Sequence, residues 1–234
     1  MTGRISAFQS LGTVDGPGVR AVVFASGCPL RCGYCHNPET WSERGTEVSE
    51  DELLAKILRL KPYIRHGGVT FSGGEPLLQA EFFASLARSL KAEGLHVALD
   101  TSGNGGDAHV GELLDAVDLV LLDVKFSNEK DYRAYTGGSF ARTMDFLADV
   151  RSRGKRVWIR RVIVAGLNDG EAEVRALKDL LAPFSDVIDR VEFLPFRKLC
   201  LEKYERLGLP FPFGSYDETP SSVTDRLTAL YESL

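Results

Sequence analysis

The sequence predicts an α/β protein whose sheet forms a partial, open (β/α)6 barrel, similar to a TIM barrel that does not close. Six short apolar segments are rich in β-branched residues and mostly lack alternation, as strands buried on both faces of a parallel sheet do. Amphipathic segments with a helical period separate them. This repeated alternation of strand and helix favours one parallel sheet with right-handed crossovers.

The six predicted strands are bounded by turn residues, and four of them run directly into a polar turn. These turns have the sequences SGCPLRC, SGGEP, DTSG and DVK. Because the carboxyl ends of strands in a parallel barrel converge on one mouth, we expect the four loops to form one site. The predicted strands span residues 19–26, 67–71, 96–99, 118–122, 156–164 and 190–194.

Helices are predicted between the strands and at the end of the chain. Ser49, followed three residues later by Glu52, is a capping-box pattern at a helix start. Gly94 and Gly154 each follow an amphipathic stretch, at the position where a glycine commonly ends a helix. The stretch after Phe196 is expected to be irregular and to lead into a closing helix. The predicted helices span residues 49–60, 81–94, 140–154, 168–183 and 221–234.

Length and composition indicate one globular domain. The chain has 234 residues, of which 44% are hydrophobic and 26% are charged. These values are ordinary for a folded domain of this size. Since no internal repeat or linker divides the sequence, we expect a core domain over residues 1–234 with a short C-terminal extension from about residue 197.

Charge and hydropathy argue against two classes of partner. The formal net charge of -5 provides no broad basic surface for nucleic acid. No uninterrupted apolar run is long enough for a membrane span, and the N-terminal residues lack the apolar region of an export signal. We therefore expect a cytoplasmic protein with reduced thiols and with neither nucleic acid nor membrane as a partner.

Three of the four cysteines lie close together in the segment GCPLRCGYCHNPETW. Cys28, Cys32 and Cys35 have the spacing C-x-x-x-C-x-x-C, and Cys200 lies far downstream without a companion thiol. Three thiolates fit a 4Fe-4S cluster with one iron left open, whereas structural zinc usually takes four protein ligands. The non-enzyme alternative is a zinc-stabilised binding module with His36 as fourth ligand, although adjacent residues rarely both reach one tetrahedral ion.

With Tyr34 before its last cysteine, this loop resembles the cluster loop of the radical S-adenosylmethionine (radical SAM) enzymes. The resemblance covers essentially the whole chain and implies the radical SAM fold. The segments GTVDGPGVR, TFSGGEPLLQAEF, LDTSG, DLVLLDVK, VWIRRVIVAG and FLPF follow in the order, and at about the intervals, of the glycyl-radical activating enzymes. The segment NPETWSERGTEVSEDEL contains no further cysteines, which is typical of the single-cluster members that act on pyruvate formate-lyase.

The resemblance also implies a reaction. In the family, the open iron binds the amino and carboxylate groups of S-adenosylmethionine, and the reduced cluster passes one electron to its sulfonium. The products are methionine and a 5′-deoxyadenosyl radical, which abstracts hydrogen from a glycine Cα of a partner enzyme. The implied partner is pyruvate formate-lyase, in anaerobic glucose metabolism, with reduced flavodoxin or ferredoxin as electron donor and this chain acting as a monomer. The alternative is activation of anaerobic ribonucleotide reductase or of another glycyl-radical enzyme.

By the same resemblance, residues of two strand-end loops bind the cofactor. Gly73 and Gly74 match the motif whose backbone lies beside the methionine amino group, although an ordinary strand-to-helix turn also uses glycine. Asp123, Val124 and Lys125 match a second motif, in which Lys125 is expected to contact the methionine carboxylate or the ribose. Without the resemblance, Asp123 and Lys125 would be interpreted as a solvated ion pair.

Further residues match positions beside the cofactor or the substrate. Tyr34 and His36 resemble residues that lie against the adenosyl moiety. Asp15 and Arg160 resemble catalytic residues that hold the substrate glycine loop or the cofactor carboxylate; taken alone, Asp15 is a turn former. Arg197 stands where the family often has a histidine that contacts the cofactor. Because arginine stays charged, it cannot shuttle a proton near neutral pH as a histidine does, but it is able to hydrogen-bond the ribose or a carboxylate of the cofactor.

The third implied cofactor is a monovalent cation, Na⁺ or K⁺. Asp100, Thr101 and Asp123 match the positions that bind it beside the cofactor carboxylate, and a hard cation prefers such oxygen ligands. Asp100 is equally able to cap the following turn. Glu75 and Cys200 are expected to have structural roles.

Overall fold

The computed structural model describes residues 1–106 and 108–234. These residues form one eight-stranded sheet with helices packed against it, and none of the helices described is long and apolar enough to cross a membrane. The strands are β1 Thr2–Gly12, β2 Arg20–Ala25, β3 Thr46–Ser49, β4 Gly68–Gly73, β5 Val97–Thr101, β6 Leu119–Asp123, β7 Arg156–Ile163 and β8 Ile188–Pro195. The helices are α1 Glu50–Leu58, α2 Lys61–Ile64, α3 Ala80–Ala92, α4 Val110–Ala116, α5 Glu129–Thr136, α6 Phe140–Ser152, α7 Glu171–Leu181, α8 Leu201–Leu207 and α9 Ser221–Ser233.

The sheet combines six parallel strands with two antiparallel strands on one side. Its order is β3-β1-β2-β4-β5-β6-β7-β8. From β2 onward each strand pairs in parallel with its neighbour, whereas β1 pairs antiparallel with both β2 and β3. Parallel strands that follow one another without reversal are typical of a barrel wall. Since β3 and β8 remain as edges over the described ranges, the sheet is open, and the predicted (β/α)6 fold class is confirmed.

The central parallel strands are mostly apolar and buried, and helices cover their outer face. In β4, every residue from Gly68 to Ser72 is buried. Helix α3 packs its apolar side against this region, and the ring centroids of Phe71 in β4 and Phe83 in α3 lie 4.7 Å apart. Fully burying one such side chain stabilises the fold by about 1.5–3 kcal/mol. The core therefore lies between the sheet and its helices.

Helix ends follow the local sequence signals. The Ser49 hydroxyl accepts a hydrogen bond from the Glu52 backbone N–H, and the Glu52 carboxylate accepts one from the Ser49 backbone N–H, so the predicted capping box forms at α1. Gly94 and Gly154 follow α3 and α6 with φ values of +75° and +63°. These values lie in the left-handed region that favours glycine at the end of a helix.

Other elements differ from the prediction. The strand pair β1 and β3 and the short helices α2, α4 and α5 were not predicted. Helix α8 occupies part of the stretch after Phe196 that was expected to be irregular. Helix α7 begins at Glu171 rather than near Asn168, because the Asn168 side chain binds two backbone groups and holds a turn there.

The loops at the carboxyl ends of β2, β4 and β5 contact one another directly. Glu75 donates its backbone N–H to Gly27 O at 2.8 Å, which joins the loop after β4 to the loop after β2. The Ser102 backbone N–H donates to the Glu75 carboxylate at 3.0 Å, which adds the loop after β5. These bonds fix the relative positions of three loops that surround the candidate site.

Candidate active site

A cavity of about 290 Å³ lies among the strand-end loops and contains most of the predicted site residues. A larger groove of about 570 Å³ lies outside the sheet between α7, β8 and α9, and the described residues that line it include no cysteine or histidine. Chemistry rather than size therefore identifies the site. The predicted residues that line the 290 Å³ cavity are Cys28, Cys32, Tyr34, Cys35, His36, Gly73, Gly74, Asp100, Thr101, Asp123, Lys125 and Arg160.

The cysteine loop, residues 27–41, is held in its middle by the carboxyl end of α5. The backbone N–H of Arg31 donates to Thr136 O at 2.7 Å, and that of Gly33 donates to Tyr135 O at 2.9 Å. Carbonyls in the last turn of a helix lack partners within the helix, so the loop supplies the donors that they need. This docking positions the loop between Cys28 and Cys35 without regular secondary structure.

The three thiols of this loop are free and face one cavity. Burial raises the pKa of Cys28 and of Cys35 to about 12, and it also raises the pKa of Cys32. The protein alone therefore favours neutral thiols, and a positively charged metal centre would stabilise the thiolates.

The donors of the cavity do not form a site for a single ion. Within the described ranges, no group of three His, Cys, Asp or Glu side chains could hold one metal ion. In a four-iron cubane each thiolate would bind a different iron, so three cysteines need not surround one point. In addition, the Nε2 atom of His36 lies 2.8 Å from Arg197 O, so one of its two ring nitrogens is already engaged.

Charged side chains from three adjacent strand ends form a network across the cavity. The Arg160 guanidinium bridges the Asp100 and Asp123 carboxylates, and its Nε lies 3.2 Å from Asp123 Oδ1. Lys125 Nζ lies 2.9 Å from Asp123 Oδ2, and Ser72 Oγ donates to Asp100 Oδ2 at 2.6 Å. Each of the four carboxylate oxygens thus accepts a bond from a protein donor.

The charges in this network stabilise one another. Burial on its own would raise the pKa of Asp123, but Lys125 and Arg160 outweigh burial and hold that pKa below its usual value. Burial likewise opposes the charge on Lys125, but the Asp123 carboxylate outweighs it and raises the Lys125 pKa well above its usual value. Both groups are therefore ionised at neutral pH. Removing Asp123 would deprive the Lys125 ammonium of its carboxylate partner, whereas Asp123 without Lys125 would keep its bond from Arg160.

Tyr34 forms an apolar wall of the cavity next to this network. Its side chain is buried, and within the part of the chain that the structure describes its hydroxyl has no hydrogen-bond partner. Lys125 Nζ lies 5.9 Å from the centroid of the ring. An unpaired buried hydroxyl is costly, so this group is suited to meet a polar atom of a ligand.

Gly73 and Gly74 permit the close approach of two loops. Gly73 has a φ of +103°, and a Cβ on it would lie 2.6 Å from Ala25 N. A Cβ on Gly74 would lie 2.1 Å from Gly27 O. A larger residue at Gly73 would push the end of β4 away from β2, and one at Gly74 would separate the loop after β4 from the cysteine loop, so both glycines are required by the packing that shapes the cavity.

Three of the predicted residues lie outside the lining of the cavity. The Asp15 backbone carbonyl accepts a bond from Thr70 Oγ1 at 2.6 Å, and burial, then the Asp100 charge, raise the pKa of its carboxyl group. The Val124 side chain is buried in the core. The Arg197 guanidinium binds Thr219 O and Ser221 Oγ instead of facing the cavity. The sequence motifs did not reveal this orientation of Arg197.

Glu75 has a larger structural role than the sequence indicated. Its buried carboxylate accepts bonds from Thr101 Oγ1 at 2.5 Å, Ser102 Oγ at 2.6 Å and the backbone N–H groups of Ser102 and Leu77. Burial raises its pKa to about 7 despite these donors. Polar residues just after β5 were the only sequence signal for this contact. Ser72 also lines the cavity and was not predicted.

Comparison with known proteins is consistent with this geometry. The chain matches the model of the Radical SAM superfamily over residues 22–177. The pyruvate formate-lyase-activating enzyme of Clostridium pasteurianum is 46% identical over 212 residues, covering 89% of this chain and 88% of that enzyme. The pyruvate formate-lyase 1-activating enzyme of Escherichia coli strain K12 is 36% identical over 235 residues, covering 98% and 95%.

Solved structures share the fold. A domain of pyruvate-formate lyase-activating enzyme from Bacteroides vulgatus ATCC 8482 superposes with a TM-score of 0.59 at 21% identity, covering 71% of this chain and 94% of that chain. QueE from Escherichia coli superposes with a TM-score of 0.56 at 20% identity, covering 89% and 92%. At these identities the likeness shows the fold alone.

Proposed function

The chain belongs to the radical SAM superfamily and, within it, to the pyruvate formate-lyase-activating enzymes, and from this membership we propose that it activates pyruvate formate-lyase under anaerobic conditions. It does so by generating a radical on one glycine of that enzyme. The observation that carries the proposal is the convergence of Cys28, Cys32, Cys35 and the buried Asp123–Lys125 pair on one cavity. Three sulfur donors without a fourth suit a 4Fe-4S cluster that binds S-adenosylmethionine at its open iron.

When bound, the reduced cluster would supply the electron that splits S-adenosylmethionine into methionine and a 5′-deoxyadenosyl radical. That radical would take a hydrogen atom from the glycine Cα. The protein contributes binding, orientation and exclusion of water. Tyr34 and Lys125 line the cavity, and only 5% and 9% of their surfaces are exposed. A dry site strengthens each charge interaction within it.

Different residues of the chain bind different parts of the cofactor in this proposal. Lys125 is a cationic donor for the methionine carboxylate or the ribose, and it is kept charged by Asp123. The backbone at Gly73 and Gly74 would lie beside the methionine amino group. Tyr34 would lie against the adenosyl moiety, a role supported by its buried hydroxyl, which has no partner among the described residues. His36, which also lines the cavity, would contact the same moiety.

Arg160 and Asp15 are the residues proposed to hold the substrate glycine loop or the cofactor carboxylate. Arg160 lines the cavity, and the two carboxylates that it bridges hold its guanidinium in place. This makes it suited to bind the glycine loop or the cofactor carboxylate. Asp15 lies outside the lining but interacts electrostatically with Arg160 and Asp100, so it belongs to the same charged network. Arg197 contributes its backbone carbonyl, which contacts His36, rather than its side chain.

The remaining parts of the proposal concern the cation, the electron donor and the assembly. A monovalent cation bound by Asp100, Thr101 and Asp123 requires that the carboxylate oxygens be released from Arg160 and Lys125. Reduced flavodoxin or ferredoxin supplies the electron, and the chain acts as a monomer. Four free cysteines favour a reducing compartment such as the cytoplasm.

The test of this function is a radical assay with two candidate substrates. The reconstituted protein is incubated anaerobically with a strong one-electron reductant, S-adenosylmethionine and inactive pyruvate formate-lyase. We expect a glycyl radical doublet in the electron paramagnetic resonance (EPR) spectrum, with methionine and 5′-deoxyadenosine formed in proportion. A parallel incubation with anaerobic ribonucleotide reductase is the control. If only the reductase gains a radical, it is the substrate and the assignment is wrong.

A further inference from the structure

The segment after β8 lies across the second half of the cysteine loop. This segment, residues 197–216, includes α8 and follows the last parallel strand. It contacts each of five consecutive loop residues, Gly33 to Asn37, which surround the last cysteine. The proposed function gives a role in this segment only to the Arg197 backbone carbonyl.

Hydrogen bonds from this segment hold the cysteine loop at and next to Cys35. The Tyr204 hydroxyl in α8 donates to Cys35 O at 3.1 Å. The Tyr204 ring also packs edge-on against Trp41 with ring centroids 5.9 Å apart, so the hydroxyl is held in place. One residue further along the loop, His36 Nε2 lies 2.8 Å from Arg197 O. These bonds act on the loop backbone and on a neighbouring ring, not on the sulfur atom itself.

An ion pair extends the contact to the end of the loop. Lys203 Nζ donates to Asn37 Oδ1 at 2.7 Å and lies 2.6 Å from the Glu39 carboxylate. Lys203 and Glu39 are both partly exposed, so the pair is weak by itself. The pair holds α8 next to the end of the cysteine loop.

An aromatic contact holds the other side of Cys35. Phe213 packs against the Gly33 backbone so closely that a Cβ on Gly33 would lie 2.1 Å from its ring. The same ring meets Tyr34 edge-on with centroids 5.6 Å apart. Phe213 is buried, with 5% of its surface exposed. Residues 197–216 therefore contact the loop on both sides of Cys35.

From these contacts we infer that residues 197–216 form a clasp that holds Cys35 in its ligating position, with Tyr204 and Phe213 as positioning residues. The inference rests on the proposed function, because it requires that Cys35 bind the cluster. The loop between Cys28 and Gly33 is held by α5, and the clasp holds the remainder. Contacts that orient metal ligands commonly change metal affinity by 10- to 100-fold when they are removed.

The test compares two clasp variants with two matched controls. Tyr204→Phe removes only the hydroxyl that binds Cys35 O, and Gly33→Ala drives a methyl group into Phe213. The controls are Tyr231→Phe, which alters a half-buried tyrosine of α9, and Gly170→Ala, at a glycine with nothing within 4 Å of a Cβ. All four proteins and the wild type are reconstituted with iron and sulfide under anaerobic conditions.

Two readouts decide the outcome. We expect the clasp variants to release iron to a chelator about 10- to 100-fold faster than wild type, while the controls release it at the wild-type rate. We also expect shifted g values in the EPR spectrum of the reduced cluster in the clasp variants, because the Cys35 thiolate changes orientation. A loss of overall stability alone would not shift these values.

Each result is decisive. Wild-type iron release and an unchanged EPR spectrum in both clasp variants would overturn the clasp while leaving the proposed function intact. A wild-type protein that takes up no cluster would overturn both. If Gly33→Ala does not fold, Tyr204→Phe decides alone, since it removes a single oxygen atom.

Discussion

Cys32→Ala should abolish the cluster. Anaerobically reconstituted wild-type protein is expected to hold about four irons per chain, and the variant close to none. Cys32 is the most buried of the three loop cysteines, with 7% of its surface exposed. Its loss leaves two thiolates for a centre that needs three protein ligands. The measurement is iron and acid-labile sulfide per chain.

Cys200→Ala is the matched control for this experiment. Cys200 is also a buried cysteine, with 1% of its surface exposed, but it does not line the cavity. Although it lies within residues 197–216, its thiol makes none of the contacts assigned to the clasp. The control should retain the full iron content. Stoichiometric zinc without cluster-competent iron in the wild type, or four irons in Cys32→Ala, would contradict the assignment of the loop.

Lys125→Ala should weaken binding of S-adenosylmethionine without loss of the cluster. Lys125 presents a buried ammonium to the cavity, fixed 2.9 Å from Asp123. Removing a charge-assisted hydrogen bond costs about 1.5–3 kcal/mol, which corresponds to a roughly 10- to 150-fold higher Kd. The measurement is an anaerobic titration of the reconstituted protein with S-adenosylmethionine.

Lys155→Ala provides the comparison for Lys125. Lys155 also donates hydrogen bonds, to Asp115 O at 2.8 Å and Val117 O at 3.1 Å, but it lies just before β7, at the amino end of that strand. Its variant should bind the cofactor as the wild type does. Equal affinity of the wild type and Lys125→Ala would show that Lys125 does not contact the cofactor.

Local patterns in the sequence predicted the parallel half of the fold. Strands β2, β4, β5 and β6 were recognisable because burial on both faces demands apolar runs, and the capping box at Ser49 is complete within four residues. Strand β1 was not predicted because only part of it is buried, so polar residues interrupt its pattern. Its place is fixed by antiparallel pairing with β2 and β3, which a single segment does not reveal.

The family resemblance singled out Asp100, Asp123 and Arg160 as site residues. They come from adjacent strands whose pairing brings them together. The direction of a loop side chain has no such constraint, which is why the sequence did not show that Arg197 turns toward Thr219. Likewise, three of the four hydrogen bonds to Glu75, those from Thr101 and Ser102, depend on the close approach of two loops rather than on a local pattern.

Helix α8 illustrates the same limit. Its seven residues are too few for a clear amphipathic pattern. The contact that gives it a role, from Tyr204 to Cys35, joins residues 169 positions apart in the chain. Long-range contacts of this kind stabilise short helices, so propensity alone does not predict them.

The central claim, that this chain directs a cofactor-derived radical to a glycine backbone, is tested most directly by following one hydrogen atom. Pyruvate formate-lyase is prepared with deuterium at the Cα of its target glycine and incubated anaerobically with the reconstituted protein, reductant and S-adenosylmethionine. The account predicts that 5′-deoxyadenosine gains one deuterium for each glycyl radical formed. Unlabelled 5′-deoxyadenosine, produced while pyruvate formate-lyase gains its radical, would contradict direct hydrogen transfer to the adenosyl carbon.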